Sequence, residues 1–340
     1  MLSKNVSLLT LGVSVILTAF ISFSIFTYIC KYKNPIAVSN ESVQHEDDFN
    51  YNLARLDGYE FIKPLLYAEP NFQSNTLVFI KPKIEQIITS NINEGSITSA
   101  SVYLREFTKG NWISIGDSKK YYPGSLLKVP ELIAIMRMNE ISPGFLYKKI
   151  QYNKTFITDR NPIYLSNCIK LGNTYTVKEL LKYMIVYSDN QATLLLGELI
   201  NPNVFNKVFT DLGLGKPDLS KGQYPISAKD YSQFMKVLYN ASYLSIEDSE
   251  YCTKLLSTSD FTKGILAGIP VGCKVIHKFG EGGFTDNQNL SESAIIFLNN
   301  SAYLLTVMAD GKDLKKIPSV ISEISRVVYQ DMCNVNFANL

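Results

Sequence analysis

Three short stretches of this 340-residue chain carry residue types that together could make and break an acyl–serine bond. The first is Tyr121-Tyr122-Pro123-Gly124-Ser125-Leu126-Leu127-Lys128-Val129-Pro130. Ser125 and Lys128 stand three apart at the start of an apolar, helix-patterned run, so their side chains share one face. A hydroxyl at a helix N-terminus feels the positive end of the dipole. A lysine in partly apolar surroundings can lose its proton near neutral pH and act as a base. The second stretch is Ser188-Asp189-Asn190 between two helical patterns. There Ser188 offers a proton-relaying hydroxyl, Asn190 an amide for a substrate carbonyl and for the base lysine, and Asp189 a brace for the turn. The third is His277-Lys278-Phe279-Gly280-Glu281-Gly282-Gly283 at a strand end. Lys278 can present a fixed cation, and Gly280 and Gly282 admit the backbone close to a ligand. Backbone N–H groups here and at Ser125 could form an oxyanion hole.

Singly, each stretch has a plainer reading: a helix cap with a surface lysine, a polar interhelical turn, and an edge-strand lysine with a glycine turn. Ser-x-x-Lys arises by chance roughly once in a chain this long, Ser-Asp-Asn about 0.1 times or fewer. The ordered set is far more specific. In it the chain resembles the serine β-lactamase and penicillin-binding-protein superfamily, closest to class A β-lactamase-like domains, over roughly Asn75 to Met332. Tyr175-Thr176-Val177 and Tyr187-Ser188-Asp189-Asn190 add to the likeness.

The resemblance implies an α/β (α+β) fold: an α/β/α sandwich with a five-stranded antiparallel sheet, and an active site between that sheet and an all-helical lobe. It implies Ser125 as the acylated nucleophile, Lys128 as its base, Ser188 as the proton donor to the leaving nitrogen, and Lys278 as the attractor of a substrate carboxylate. Asn190 would hold the substrate amide, and Phe279, Gly280 and Glu281 would line the binding strand, with the N–H groups of Ser125 and Glu281 as oxyanion hole. No metal or other cofactor is implied. Two departures bear on substrate and turnover. The middle position of the third motif, Thr or Ser in the superfamily, is Phe279, so a carboxylate-binding hydroxyl is missing. Class A enzymes also carry a water-activating glutamate on a loop after Ser-Asp-Asn, whereas no glutamate lies between Glu198 and Glu247 here, and Asp218 is the one acid in the corresponding Leu214–Pro225 stretch.

The elements that must position these residues can be read from periodicity. Ile84, Ile87, Ile88 and Ile92 mark a helix over Pro82–Ile92, and Thr98–Phe107 with Trp112–Ile115 form a hairpin about Thr108-Lys109-Gly110-Asn111. After the Ser125 helix comes a mostly irregular Asn153–Thr174. Thr176 and Glu179 then make a capping box that opens a helix to Tyr187. Helices follow at Gln191–Ile200 and Asn203–Leu212, after Ser227 through Tyr239, and at Ser245–Leu256. Strands Lys274–Phe279, Ser293–Leu298 and Tyr303–Ala309 precede a last helix from about Leu314 to Met332. Strands at both ends of a helical middle pair most simply into one antiparallel sheet.

Composition bounds the rest. With 46% hydrophobic residues the chain can bury a large core, and a net charge of +2 gives no reason to expect nucleic acid. Asn5 to Cys30 carries no charge, is long enough to span a bilayer as a helix, and lacks a convincing cleavage site. The expected organisation is therefore a membrane anchor at 1–30, a linker and docking segment at 31–74, and the serine hydrolase domain at 75–333; the anchor, together with the cell-wall substrates that the resemblance implies, places that domain outside the cytoplasm. Five cysteines stand at no metal-ligand spacing; free thiols are expected, with Cys252 and Cys273 the candidate pair for a disulfide. His45 and His277, the two histidines, leave little material for a histidine triad. The functions that fit are hydrolysis of β-lactams or related D-alanyl amides of the cell wall, a D,D-carboxypeptidase or esterase with slow or no β-lactam turnover, and a non-catalytic wall-binding module.

Overall fold

The computed structural model describes residues 51–158, 162–164, 166–217, 224–284, 286–299 and 301–337. All of residues 1–50, including the apolar run Asn5–Cys30, and Asp218 lie outside them. Among the described residues no helix is long and apolar enough to cross a membrane.

A hairpin comes first, β1 (Tyr51–Arg55) with β2 (Leu65–Pro70), inside the stretch read as linker and docking segment. Then come α1 (Lys81–Asn93), β3 (Ser99–Glu106) and β4 (Trp112–Ile115). A 3₁₀ turn, Gly124–Leu127, runs into α2 (Lys128–Ile141). The short pair β5 (Lys149–Gln151) and β6 (Thr174–Thr176) brackets the irregular segment and leads to α3 (Val177–Val186). Next are α4 (Asn190–Gly197), α5 (Pro202–Asp211), α6 (Ala228–Tyr239) and α7 (Ile246–Leu256). The chain closes with β7 (Val275–Phe284), β8 (Asn287–Leu298), β9 (Ser301–Gly311) and α8 (Ile317–Phe337).

The expected five-stranded antiparallel sheet is present, in the order β4-β3-β9-β8-β7. Its central strand β9 shows why it has two covered faces. Ala302, Leu304 and Met308 enter one apolar cluster, and Tyr303, Leu305, Val307 and Ala309 enter the other. This is the two-residue period of a strand buried on both sides. One cluster joins α1 and α8, the latter through Ile317, Val320, Ile321, Ile324 and Val328 at helical spacing. The other joins α2, α3, α6 and their neighbours. In α2 Val129, Leu132, Ile133, Ala134, Ile135 and Met136 are all fully buried. At about 1.5–3 kcal/mol for each large side chain, that burial fixes the helix that carries Lys128.

The local signals hold. Thr176 and Glu179 form the reciprocal capping box, and Ser227 and Ser245 cap α6 and α7. Strand β8 begins earlier than hydropathy predicts, because its first half is polar yet buried. Glu292 accepts from the Ile265 N–H (2.7 Å) and pairs with His277 Nδ1 (2.8 Å), and Asn289 donates to the Ala309 carbonyl (3.1 Å). Cys252 and Cys273 are free thiols, not a disulfide.

The β1–β2 hairpin is tied in from beneath. Glu69 is buried and accepts from Lys236 Nζ of α6 (2.9 Å), Arg105 Nη1 of β3 (3.0 Å) and the Tyr103 hydroxyl.

Candidate active site

The turn that carries Ser125 is built from main chain packed on main chain. Gly124 has φ +53°, and a Cβ there would stand 1.9 Å from the Glu281 carbonyl oxygen. A Cβ on Gly280 would stand 2.2 Å from the Pro123 carbonyl oxygen and 2.6 Å from the Leu126 nitrogen. Glycine is thus required on both sides of the contact between the 3₁₀ turn and β7. Leu126 beside Ser125 is fully buried, and its carbonyl accepts from the buried Tyr231 hydroxyl of α6 (3.1 Å).

Ser188 occupies the turn between α3 and α4 with φ +54°, the left-handed conformation that costs a residue with a side chain about 1–3 kcal/mol. Asp189 stabilises that turn. Its carboxylate accepts from the Gln191 N–H as the cap of α4 (2.9 Å) and from the Ile169 N–H of the preceding loop (2.8 Å). The strained turn aims two oxygens of Ser188 at one buried ammonium. Lys128 Nζ donates to the Ser188 carbonyl (2.6 Å), to Ser188 Oγ (3.2 Å) and to Asn190 Oδ1 (2.7 Å). From the other side Lys278 Nζ donates to Ser188 Oγ (2.9 Å) and to the Phe279 carbonyl (2.9 Å). Two lysines therefore meet at one hydroxyl.

Both lysines are nearly inaccessible. Burial pushes the Lys128 ammonium down, against the opposing pull of Glu131, Asp189 and Glu281. Burial also pushes Lys278 well down, helped by the charge of Lys128. A neutral Lys128 has two N–H bonds and a lone pair. It can still donate to the Ser188 carbonyl and Asn190 Oδ1 while its lone pair faces a hydroxyl. Lys278, Ser188 and Lys128 then form a continuous path for a proton.

Above these two lysines lies a cleft of about 280 Å³ lined by Ser125, Ser188, Asn190, Tyr164, Phe279 and Glu281 among others. The sequence-picked residues converge here: Ser125, Ser188, Asn190, Phe279 and Glu281 on the cleft wall, Lys128 and Lys278 beneath it, and Gly280 against the Ser125 turn. The Phe279 ring is 3% exposed, stacks on Phe261 (4.0 Å between centroids, 16° between planes), and meets Tyr164 edge-on (6.3 Å). It gives the cleft an apolar wall and belongs at the same time to the core shared with α8.

Motif reading passed over three features. The Glu281 carboxylate is tied by the N–H groups of Ile163 (2.9 Å) and Tyr164 (2.8 Å), which closes one end of the cleft with the loop between β5 and β6. His277 is buried on the Glu292 carboxylate and works in the frame of the sheet. Glu131, one turn after Lys128, has an enclosed Oε2 with no hydrogen-bond partner among the described residues. The sequence signal for Glu131 was its spacing of three from Lys128 inside the otherwise apolar run Val129–Met136.

A family model of the beta-lactamase enzyme family matches residues 81–332, most of the chain and all of the site just described. The chain belongs to the beta-lactamase enzyme family. As a member it falls within the serine hydrolases. No curated protein matches its sequence. Among solved structures, this family member is similar to a protein titled PBP-A at 20% identity and TM-score 0.63, covering 76% of this chain and 97% of that one. It is also similar to a beta-lactamase from Chitinophaga pinensis at 19% identity and TM-score 0.64, covering 75% and 99%. A class A beta-lactamase from Mycobacterium abscessus aligns at 20% identity and TM-score 0.62, covering 74% and 99%. At these identities the likeness is one of fold.

Proposed function

We propose that this protein is a membrane-anchored, extracytoplasmic serine acyl-transfer enzyme that opens β-lactams or cleaves related D-alanyl amides of the cell wall through an acyl-Ser125 intermediate. The observation that carries the reading is the meeting of Lys128 and Lys278 at Ser188 Oγ directly beneath the cleft that holds Ser125. A similar structure, a variant of PBP-A solved as an acyl-enzyme complex with penicillin G, supports the substrate class. The uncharged run Asn5 to Cys30 supports the anchor.

In this reading Lys128 removes the Ser125 hydroxyl proton as Oγ attacks the substrate carbonyl carbon. The N–H groups of Ser125 and Glu281 receive the negative oxygen of the tetrahedral adduct. The C–N bond then breaks. The leaving nitrogen takes the Ser188 proton, and Lys128 returns its acquired proton to Ser188. Asn190 holds the substrate amide, and Lys278 attracts its carboxylate and keeps Ser188 Oγ oriented. Gly280 brings the binding strand against Ser125, and Phe279 supplies apolar contact in place of a hydroxyl. The proposed domains remain an anchor at 1–30, a linker and docking segment at 31–74, and a hydrolase domain at 75–333. Small-molecule or wall-peptide substrates are the partners, with no nucleic acid and no cofactor.

The absence of a glutamate between Glu198 and Glu247 favours slow release of the acyl group, as in a penicillin-binding peptidase, and Phe279 favours a bulkier or less anionic substrate. Intact-mass analysis of the full-length protein incubated with benzylpenicillin tests both readings. A mass gain at Ser125 that vanishes within minutes marks a β-lactamase, and one that lasts for hours marks a penicillin-binding site. No gain with benzylpenicillin or with a broad ester probe sinks the proposal and leaves a wall-binding module.

A further inference from the structure

We propose that Tyr231 is a positioning residue for Ser125: its hydroxyl stands in for a backbone N–H that Pro130 removes, and so fixes the turn from which Ser125 acts. The inference rests on the reading of Ser125 as the nucleophile. The backbone is right-handed helical at Pro123, Leu127 and Lys128, with ψ of −18°, −16° and −20°, and the 3₁₀ turn runs without a break into α2. In an α-helix the carbonyl of residue 126 accepts the N–H of residue 130, four positions on. Residue 130 is proline, the third residue of α2, and has no N–H to give. The Lys128 N–H reaches the Leu126 carbonyl but is shared with the Ser125 carbonyl. Leu126 is fully buried, so the replacement donor has to come from the protein. The Tyr231 hydroxyl supplies it at 3.1 Å, from 105 residues later in the chain.

The donor is firmly seated. Tyr231 is fully buried on α6, and its ring meets Phe234 at 5.7 Å between centroids. The next residue, Ser232, shares a hydrogen bond with Thr306 of β9 (2.8 Å), which pins α6 to the central strand of the sheet. Just before α6, Ile226 exchanges two backbone hydrogen bonds with Tyr121 (2.9 and 3.0 Å). The Ser125 turn is therefore held at both its ends by α6 and the residues leading into it. On its other side Gly280 and Glu281 of β7 press against Pro123 and Gly124. Tyr231 does not line the cleft and acts through the turn. Rotation of the peptide that carries the Leu126 carbonyl would carry the neighbouring Ser125 out of register with Lys128 and with the N–H of Glu281. A misplacement of that kind slows a reaction while leaving the walls that bind substrate in place.

The test compares four full-length proteins: wild type, Tyr231→Phe, Pro130→Ala and the double variant. Tyr231→Phe removes one oxygen and keeps the ring. Saturation kinetics with benzylpenicillin separates binding from acylation. In Tyr231→Phe the acylation rate constant is expected to fall roughly 10- to 100-fold, with the half-saturating concentration changed by less than about twofold. Pro130→Ala returns an N–H to residue 130. Alone it should keep the wild-type rate, and in the double variant it should bring the rate back to within about threefold of wild type, the coupling that a shared acceptor requires. The Ser125 ¹H–¹⁵N resonance, followed without substrate, should move in Tyr231→Phe and return in the double variant. A Tyr231→Phe protein that acylates at the wild-type rate overturns the inference, and so does a folded double variant that stays slow. Should Tyr231→Phe fail to fold, the double variant decides: recovery of both fold and acylation upholds the inference, and anything less overturns it. A wild type inert to benzylpenicillin and to ester probes sinks the acylation reading instead. The Ser125 resonance then decides whether Tyr231 positions the turn: moved and restored upholds it, unmoved overturns it.

Discussion

The Glu281 carboxylate accepts the Tyr164 backbone N–H at 2.8 Å, and through it one strand of the sheet holds a loop from the helical side across the cleft. The Ile163 N–H completes the pair at 2.9 Å. Glu281→Ala removes both acceptors and leaves the proposed oxyanion N–H of residue 281 in place. The expected result is a wider cleft. Acylation by a penicillin with a bulky side chain should gain roughly tenfold over a small one, equivalent to about 1.4 kcal/mol of relieved crowding. Paired second-order acylation rates measure it, and an unchanged ratio refutes it.

Gly280→Ala places a methyl group 2.2 Å from the Pro123 carbonyl oxygen, a backbone atom that cannot swing aside. The nucleophile turn and β7 must separate. Acylation should fall by about 100-fold or more as the oxyanion donors lose register, with about 1–3 kcal/mol of lost stability. Acylation rate and urea midpoint, measured on one preparation, separate the two effects.

Base catalysis by a buried lysine has a definite sign with pH. In the proposed mechanism Lys128 works when deprotonated, and burial brings its titration below the ordinary lysine value of about 10.4. Acylation should therefore rise with pH through a limb below that value and be lost on acidification. Lys128→Met should abolish the limb. Lys128→Arg should not rescue it, since a guanidinium stays charged. Mass gain followed at a series of pH values is the measurement.

The buried contact of Lys236 with Glu69 predicts a stability effect far from the cleft. Lys236→Met leaves the Glu69 carboxylate with Arg105 and Tyr103 alone, and should cost about 3–5 kcal/mol by chemical denaturation. Burial raises the Glu69 carboxyl, but the charge of Lys236, hydrogen bonds from Lys236 and Tyr103, and the charge of Arg105 together outweigh it and hold the group low. Its contribution is thus complete above the unfolded value of about 4.3 and is lost as pH falls through the lower folded value. Unfolding free energy measured between about pH 3 and about 7 should show that decline, and Glu69→Gln should flatten it.

The residues proposed for catalysis were legible because chemistry restricts their types. Ser125, Lys128, Ser188, Asn190 and Lys278 are identifiable by kind and order, and helix caps such as Thr176 and Ser227 are local in sequence. What stayed hidden depends on distant partners. Glu69 gains its meaning from Lys236, 167 residues away, and Glu281 from amides 117 and 118 residues earlier. Asn289, Ser291 and Glu292 fall before the expected strand Ser293–Leu298 because polarity signals exposure, whereas in the core Glu292 accepts from the Ile265 N–H, Asn289 donates to the Ala309 carbonyl, and Ser291 donates to Asn289 Oδ1. Glu131 resembled any polar position on a helix, and only enclosure of its oxygen sets it apart.

The sheet order carries a consequence for how the protein comes into being. Strand β9, the last of the five strands in chain order, is the middle of the sheet and separates β3 from β8 and β7. Without it, the strand bearing Lys278 and the two glycine contacts has no connection to the hairpin of β3 and β4. The nucleophile turn then has nothing fixed to lean on. Contacts of such long sequence separation form slowly. A nascent or truncated chain ending before Ser301 would hold Ser125, Lys128, Ser188 and Lys278 and remain inert, so covalent labelling of Ser125 counts completed molecules rather than synthesised ones.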